Sequence, residues 1–175
     1  MTEAATTLPA AGTLSITDPR VIRAIELVWR EATLLDAKDY HAWEALYADD
    51  GIYVVPIDRD ADSFDDRLNM VYDDARMRSM RVVRMTEGFA IAAVDAATTV
   101  RTVSRFVPTT VTDDEVSLKA AQILVAFKRG RHDFWAGDVD YVVRLGADAG
   151  ADRLVRKVVR LIDAEGAVPA AGFLL

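Results

Sequence analysis

The chain has 175 residues, 51% of them apolar, and its 28 acidic residues against 21 Lys and Arg leave a formal net charge of -7. That length suits one domain able to bury most of its core, and the acidic balance argues against a phosphate-binding surface, so nucleic acid is not an expected partner. Cysteine is absent, which excludes a thiolate nucleophile, a disulfide framework, a thiolate zinc site and a cysteine-held iron-sulfur cluster within this chain.

Residues 1–17 are rich in Ala and Thr and show no period. They read as a flexible N-terminal arm, or one that lies on a neighbouring subunit, ahead of a single domain over 18–175. The arm lacks the basic start of a secretory signal, and no run of about 18 apolar residues exists to span a bilayer. A cytoplasmic protein without membrane contact is expected.

Asp18 and Pro19 read as N-cap and first position of a helix, where a missing N–H costs nothing. Val21, Ile25, Val28, Ala32 and Leu35 then fall on one face, flanked by Ile22 and Trp29, while Arg23, Glu26 and Arg30 point away. Asp36 to Lys38 form a turn, and Asp39 is placed to cap a second helix bearing Trp43, Leu46 and Tyr47. Gly51 is expected to end this helical part. The β-branched and aromatic run Ile52, Tyr53, Val54 and Val55 then makes a strand that Pro56 terminates.

After the polar loop 58–62, Ser63 to Asp66 resembles a capping box that would start a third helix, with Phe64, Leu68, Val71 and Ala75 on its apolar stripe. Arg78, Arg81 and Arg84 follow in a row. Such a row is an anion site, a subunit contact or a solvated face, and the last is preferred. Beyond Gly88 the period becomes two. Long strands are expected over 99–107, 115–129, 133–145 and 152–163, with turns at 108–114, 129–131 and 146–150, so that sequential antiparallel pairing and strong twist follow. In the last strand Lys157, Val155 and Val159 are assigned to the outward face, as are Arg101, Val103 and Arg105 in the first. The apolar end Phe173-Leu174-Leu175 should dock on the domain.

Few residues invite chemistry. Asp36, near a helix C-terminus where a carboxylate opposes the dipole, is either a general base lining a cavity, with Tyr40 or Tyr53 as acid partner, or a turn residue binding backbone N–H groups. The turn reading is preferred. A two-histidine, one-carboxylate iron site would need His41, on the second helix, to meet His132, in a late turn, so no metal site is expected.

Helices followed by a curved antiparallel or mixed sheet describe an α+β cone. The residues Arg30-Glu31-Ala32, Leu34-Leu35-Asp36, Tyr40, Trp43, Leu46, Asp50, Tyr53 and Pro56, then Phe64-Asp65-Asp66, Arg101 with Val103-Ser104, the segment RHDFWAG from Arg131, VRKVVRLID from Val155 and the closing Phe173-Leu174-Leu175 together resemble the β (small) subunit of aromatic-ring-hydroxylating dioxygenases. That family has the nuclear-transport-factor-2-like fold. This chain departs from the family pattern at Arg105, where Asn is usual, at Asp138-Val139, where basic residues are usual, and at Ala97-Thr98-Thr99.

The resemblance implies a structural β subunit with no cofactor and no catalytic residue of its own. Its partner α subunit would carry a Rieske iron-sulfur cluster and a mononuclear iron, and the two would assemble as α3β3 around a β3 trimer. The complex would add both atoms of dioxygen to an aromatic ring, giving a cis-dihydrodiol with electrons from NADH. The alternatives are a free-standing steroid-isomerase-like or dehydratase-like enzyme of the same fold, using Asp36 with Tyr40 or Tyr53, or a small-molecule binding protein.

Overall fold

A computed structural model describes residues 14–87, 97–166 and 172–175; the expectations for 1–13 lie outside the described residues. Helix α1 (Pro19–Ala37) starts as anticipated, with the Asp18 carboxylate accepting from the Arg20 N–H at 2.9 Å. It stops because Lys38 turns left-handed at φ 60, which lets the N–H groups of Lys38 and Asp39 reach the carbonyls of Leu35 and Leu34. Val21, Ile25, Val28, Ala32 and Leu35 are all buried. Arg23 leaves this face but is only partly exposed: its Nε meets Asp152 Oδ2 at 3.0 Å and its Nη2 the Gly146 carbonyl at 2.9 Å.

Helix α2 (Tyr40–Glu44) is capped by Asp39, whose carboxylate accepts from Ala42 N at 3.1 Å. The helical part does not run to Gly51. Strand β1 (Tyr47–Pro56) has begun by then, and Gly51 sits where a Cβ would come within 2.7 Å of the Leu154 carbonyl. Glycine is there for close approach of two strands.

The capping box at Ser63 does not start a helix. Ser63 Oγ bonds the Asp66 side chain at 3.2 Å, and the chain continues into strand β2 (Asn69–Asp73), which pairs antiparallel with β1. Helix α3 (Ala75–Thr86) begins only after Asp74, whose carboxylate accepts from Met77 N at 2.8 Å. Phe64 therefore belongs to no helical stripe, and Leu68 is 79% exposed.

Four long strands follow: β3 (Thr98–Val111), β4 (Glu115–Lys128), β5 (Arg131–Arg144) and β6 (Arg153–Leu161). They pair antiparallel in sequence order, and the β4–β5 turn places Arg129 and Gly130 at φ 51 and 78, as a two-residue hairpin on a right-twisted ribbon requires. β1 joins β6 in parallel, so the sheet is mixed, in the order β2-β1-β6-β5-β4-β3. Pro108 lies inside β3 instead of in the following turn. An edge strand tolerates it, since one side of the edge needs no ladder donor, and the register breaks beside it.

Helix α1 packs on the inner face of this sheet, where Val116, Leu118, Ala120, Leu124 and Ala126 of β4 alternate inward. Arg101, Val103, Lys157 and Val159 also face inward and are buried, which corrects their outward assignment. The apolar pattern of β6 is two-sided because the loop after β1 folds over its other face, setting Ala61 and Phe64 on Val54 and Val158. Period-two alternation marks a face only when the other face is wet.

Candidate functional site

The inside of the cone is where the fold gathers its buried polar groups. Glu31, on the core face of α1, is 1% exposed and accepts from Trp43 Nε1 at 3.0 Å, from Tyr47 Oη at 3.4 Å and from Lys157 Nζ at 2.9 Å. Lys157 reaches it from β6 without any contact with solvent. Burial pulls this ammonium below the ordinary lysine range, and the facing Glu31 carboxylate opposes that drop. The same burial raises the phenols of Tyr47, Tyr53 and Tyr141 and keeps them protonated.

The docked end of the chain completes this interior. Phe173, Leu174 and Leu175 are 7%, 5% and 8% exposed. Phe173 meets Trp135 edge to face with centroids 5.0 Å apart. The Leu174 carbonyl accepts from Arg101 Nη2 at 3.1 Å, and the main-chain oxygen of Leu175 accepts from Lys157 Nζ at 2.9 Å and Tyr53 Oη at 3.2 Å.

The acid-base candidates are thus placed, but not together. Asp36 accepts from Thr99 Oγ1 at 2.8 Å and from Arg101 N and Nε, both at 2.9 Å. It clamps the end of α1 to β3 and does not serve the turn beside it, whose geometry Lys38 supplies. Tyr53 is engaged by Leu175. Tyr40 is buried with its hydroxyl unpaired, and burial raises its phenol. His41 and His132 are both exposed, one on α2 and the other on β5 against the Phe127 ring. Among the described residues no cluster of His, Asp and Glu is arranged to hold a metal ion, and no helix is long and apolar enough to cross a membrane.

The arginine row of α3 divides. Arg78 is buried, stacks 4.4 Å over the Tyr47 ring and donates to the carbonyls of Gly51 and Ala48, so burial lowers its guanidinium from the ordinary value. Arg81 forks onto Asp73 at 2.5 and 2.8 Å. Only Arg84 of the three stands in solvent, so the solvated-face reading fails for the row. Sequence reasoning missed both the Glu31–Lys157 pair and the inward Arg101; a carboxylate at a core position of α1 was the available signal.

The outer face of the sheet differs in kind. Val100, Ile123, Phe127 and Phe134 are 65%, 54%, 45% and 63% exposed, and the register sets Val100 beside Val125 and Val125 beside Phe134. Next to this apolar patch runs a groove of about 1280 Å³ whose lining includes Arg59, Arg105, Asp138, Asp140, Arg156 and Arg160.

Solved structures share this architecture. The β subunit of benzoate 1,2-dioxygenase from Burkholderia mallei superposes with a TM-score of 0.67 at 23% identity, over 82% of this chain and 90% of that one. Naphthalene 1,2-dioxygenase with indole bound gives 0.73 at 18% identity, over 88% and 84%. An NTF2-like protein with a cystatin-like fold from Novosphingobium aromaticivorans gives 0.56 at 17% identity, over 90% and 96%. The fold is α+β and nuclear-transport-factor-2-like. In sequence, the small oxygenase component of the p-cumate 2,3-dioxygenase system of Pseudomonas putida is 33% identical over 135 residues, 75% of this chain and 73% of that protein. Residues 30–165 match the family described as ring hydroxylating beta subunit, a span that runs from the Glu31 end of α1 through β6, and the chain belongs to that family.

Proposed function

We propose that this chain is a non-catalytic β subunit of a multicomponent aromatic-ring-hydroxylating dioxygenase. It acts in the cytoplasm and supports, through a β3 trimer, an α3β3 assembly. The observation that carries this reading is the contrast between the two faces of the sheet. Inside the cone, the carboxylates of Asp36 and Glu31 are engaged by Arg101 and Lys157, and Tyr53 by the chain's own end. Outside, the large apolar side chains of Val100, Ile123, Phe127 and Phe134 meet solvent in the isolated chain. A contiguous exposed patch of this kind suits a subunit contact. Permanent contacts of that sort typically bury more than about 2,000 Å² and close by rotational symmetry.

The redox groups belong to the α subunit in this reading. This chain has no cysteine for a cluster, and its two histidines stand on separate elements. The named relatives act on benzoate, p-cumate and naphthalene, so the substrate class for the complex is an aromatic compound, hydroxylated in the α subunit with electrons from NADH.

Light scattering tests the assembly. The wild-type chain should have the mass of a trimer at tens of micromolar, and a double variant Ile123→Asp, Phe134→Asp should fall to monomer while keeping the wild-type circular dichroism spectrum. A wild-type monomer that gains no mass on adding the α subunit would refute the proposal.

A further inference from the structure

We propose that the groove on the outer face of the sheet seats an extended acidic segment of the α subunit, an inference that rests on the β-subunit reading above. The register orders the groove into rows across β4, β5 and β6: Ala121, Asp138 and Arg160, then Lys119, Asp140 and Val158, then Ser117, Val142 and Arg156. At the first row the two walls are tied together. Asp138 takes Arg59 from the loop after β1 and Arg105 from β3, while Arg160 holds the carbonyls of Arg59 and Ala61 at 2.7 and 2.8 Å. Asp60 and Asp62 of that loop stand exposed at this end.

The other end is cationic. Lys119 and Arg156 are exposed and, among the described residues, have no ion pair. Asp140, opposite Lys119 on the ladder, is held by Arg160 Nε at 2.9 Å. In a chain with 28 acidic residues against 21 Lys and Arg, two neighbouring cations left over at one end of a groove take their counter-charges from outside the chain. Opposite charges brought together in this way steer a partner and fix its register. The strand spacing puts the two Cα atoms about 12 Å apart, and carboxylates at i and i+2 of an extended segment lie about 7 Å apart, a difference that two long side chains close. Val107, in the row of Lys119 and 47% exposed, offers an apolar contact beside them.

Composition favours the α subunit over a second copy of this chain. Contacts between identical chains are more apolar than contacts between different ones. The patch around Ile123 and Phe134 has that apolar character, whereas half of the residues lining the groove are charged.

Because the chain has no cysteine, one introduced thiol is a unique handle. Thr110→Cys, in the lining of the groove, is labelled with benzophenone maleimide, and its complex with the α subunit that copurifies with the chain is irradiated. The cross-linked α peptide should carry at least two Asp or Glu residues within five. A cross-link to a segment without them, a cross-link to another copy of this chain, or none in an intact complex would overturn the inference. The double variant Lys119→Glu, Arg156→Glu should bind the α subunit at least about tenfold more weakly than wild type and with a flatter dependence on salt, its trimer mass and circular dichroism unchanged. If it binds as wild type does, this inference falls and the β-subunit reading stands. If the variant loses trimer mass, the groove belongs to a second copy and the inference is overturned. A wild-type chain that binds no α subunit would sink the β-subunit reading, and this inference with it.

Discussion

The buried Glu31–Lys157 pair gives the sharpest test of how the cone is held together. Lys157→Met keeps the side-chain length and removes the ammonium. Glu31 then keeps Trp43 Nε1 at 3.0 Å and Tyr47 Oη at 3.4 Å as donors, and the Leu175 oxygen keeps Tyr53. Removing one member of a buried ion pair leaves the other charge uncompensated, at a cost of about 3–5 kcal/mol. For a chain of this size each kcal/mol lowers Tm by about 2–4 °C, so a fall of about 6–20 °C is expected. The assay is urea unfolding followed by Trp fluorescence, since Trp43 bonds Glu31 directly, with protein concentration held constant because association shifts apparent stability. Glu31→Gln alone should cost a similar amount by stranding Lys157. The double variant Glu31→Gln, Lys157→Met should recover most of the loss, as neutral replacement of a buried pair is often close to neutral, giving a coupling of more than about 3 kcal/mol. If Lys157→Met costs under about 1 kcal/mol, or the two losses add, the pair does not hold the interior as argued.

Asp36→Asn strands the buried guanidinium of Arg101 and should lower stability by about 3 kcal/mol. Turnover of an assembled dioxygenase should stay within a few-fold, whereas a thousandfold loss with assembly intact would favour the acid-base reading. Alkaline unfolding should set in above about pH 10: Tyr47, Tyr53 and Tyr141 have folded pKa values raised above the ordinary 10.0. Their contribution is therefore fully present below that pH and is lost as pH rises. The slope is up to about 1.4 kcal/mol per pH unit for each tyrosine, and a flat stability profile from pH 9 to 11 would contradict it. Lys157 acts in the opposite sense, since its folded pKa is lowered; its contribution grows with pH up to the ordinary lysine value and subtracts from that slope. Metal analysis of the purified chain should find no stoichiometric iron, and iron lost only on changing His41 and His132 together would refute this.

The sequence was most legible where a local rule and the tertiary outcome agree. Asp18-Pro19 and the face from Val21 to Leu35 specified α1, and the period-two runs specified β3 to β6 within a few residues. The short strand β2 was hidden because it is made by pairing with Tyr53 to Pro56 and not by its own pattern, while Ser63 and Asp66 offered a helix start that their side chains use only for each other. The polar interior was hidden for a different reason. Lys157 and Arg101 read as surface residues until their counter-charges are known, and those lie 126 and 65 residues away in sequence. Burial of a charge is decided by its partner, and no window along the chain contains both.

Arg105 and Asp138, read in the sequence as separate features, meet in the structure. Arg105 sits at a break in the β3 register with φ 55, a conformation that Asn tolerates better than other residues with a Cβ. Arginine at this point costs about 1 kcal/mol more in strain. Its guanidinium bonds Asp138, and Asp138 also holds Arg59 at 2.5 Å. All three side chains are partly exposed, so the Arg105–Asp138 pair contributes at most about 1 kcal/mol, no more than the strain it is set against. Stability therefore does not account for an arginine at this position. What it sets is the charge along the rim of the outer groove, a carboxylate flanked by two guanidinium groups. In an assembly of the proposed kind, that rim is where a partner surface fitted to this chain would differ from one fitted to its relatives.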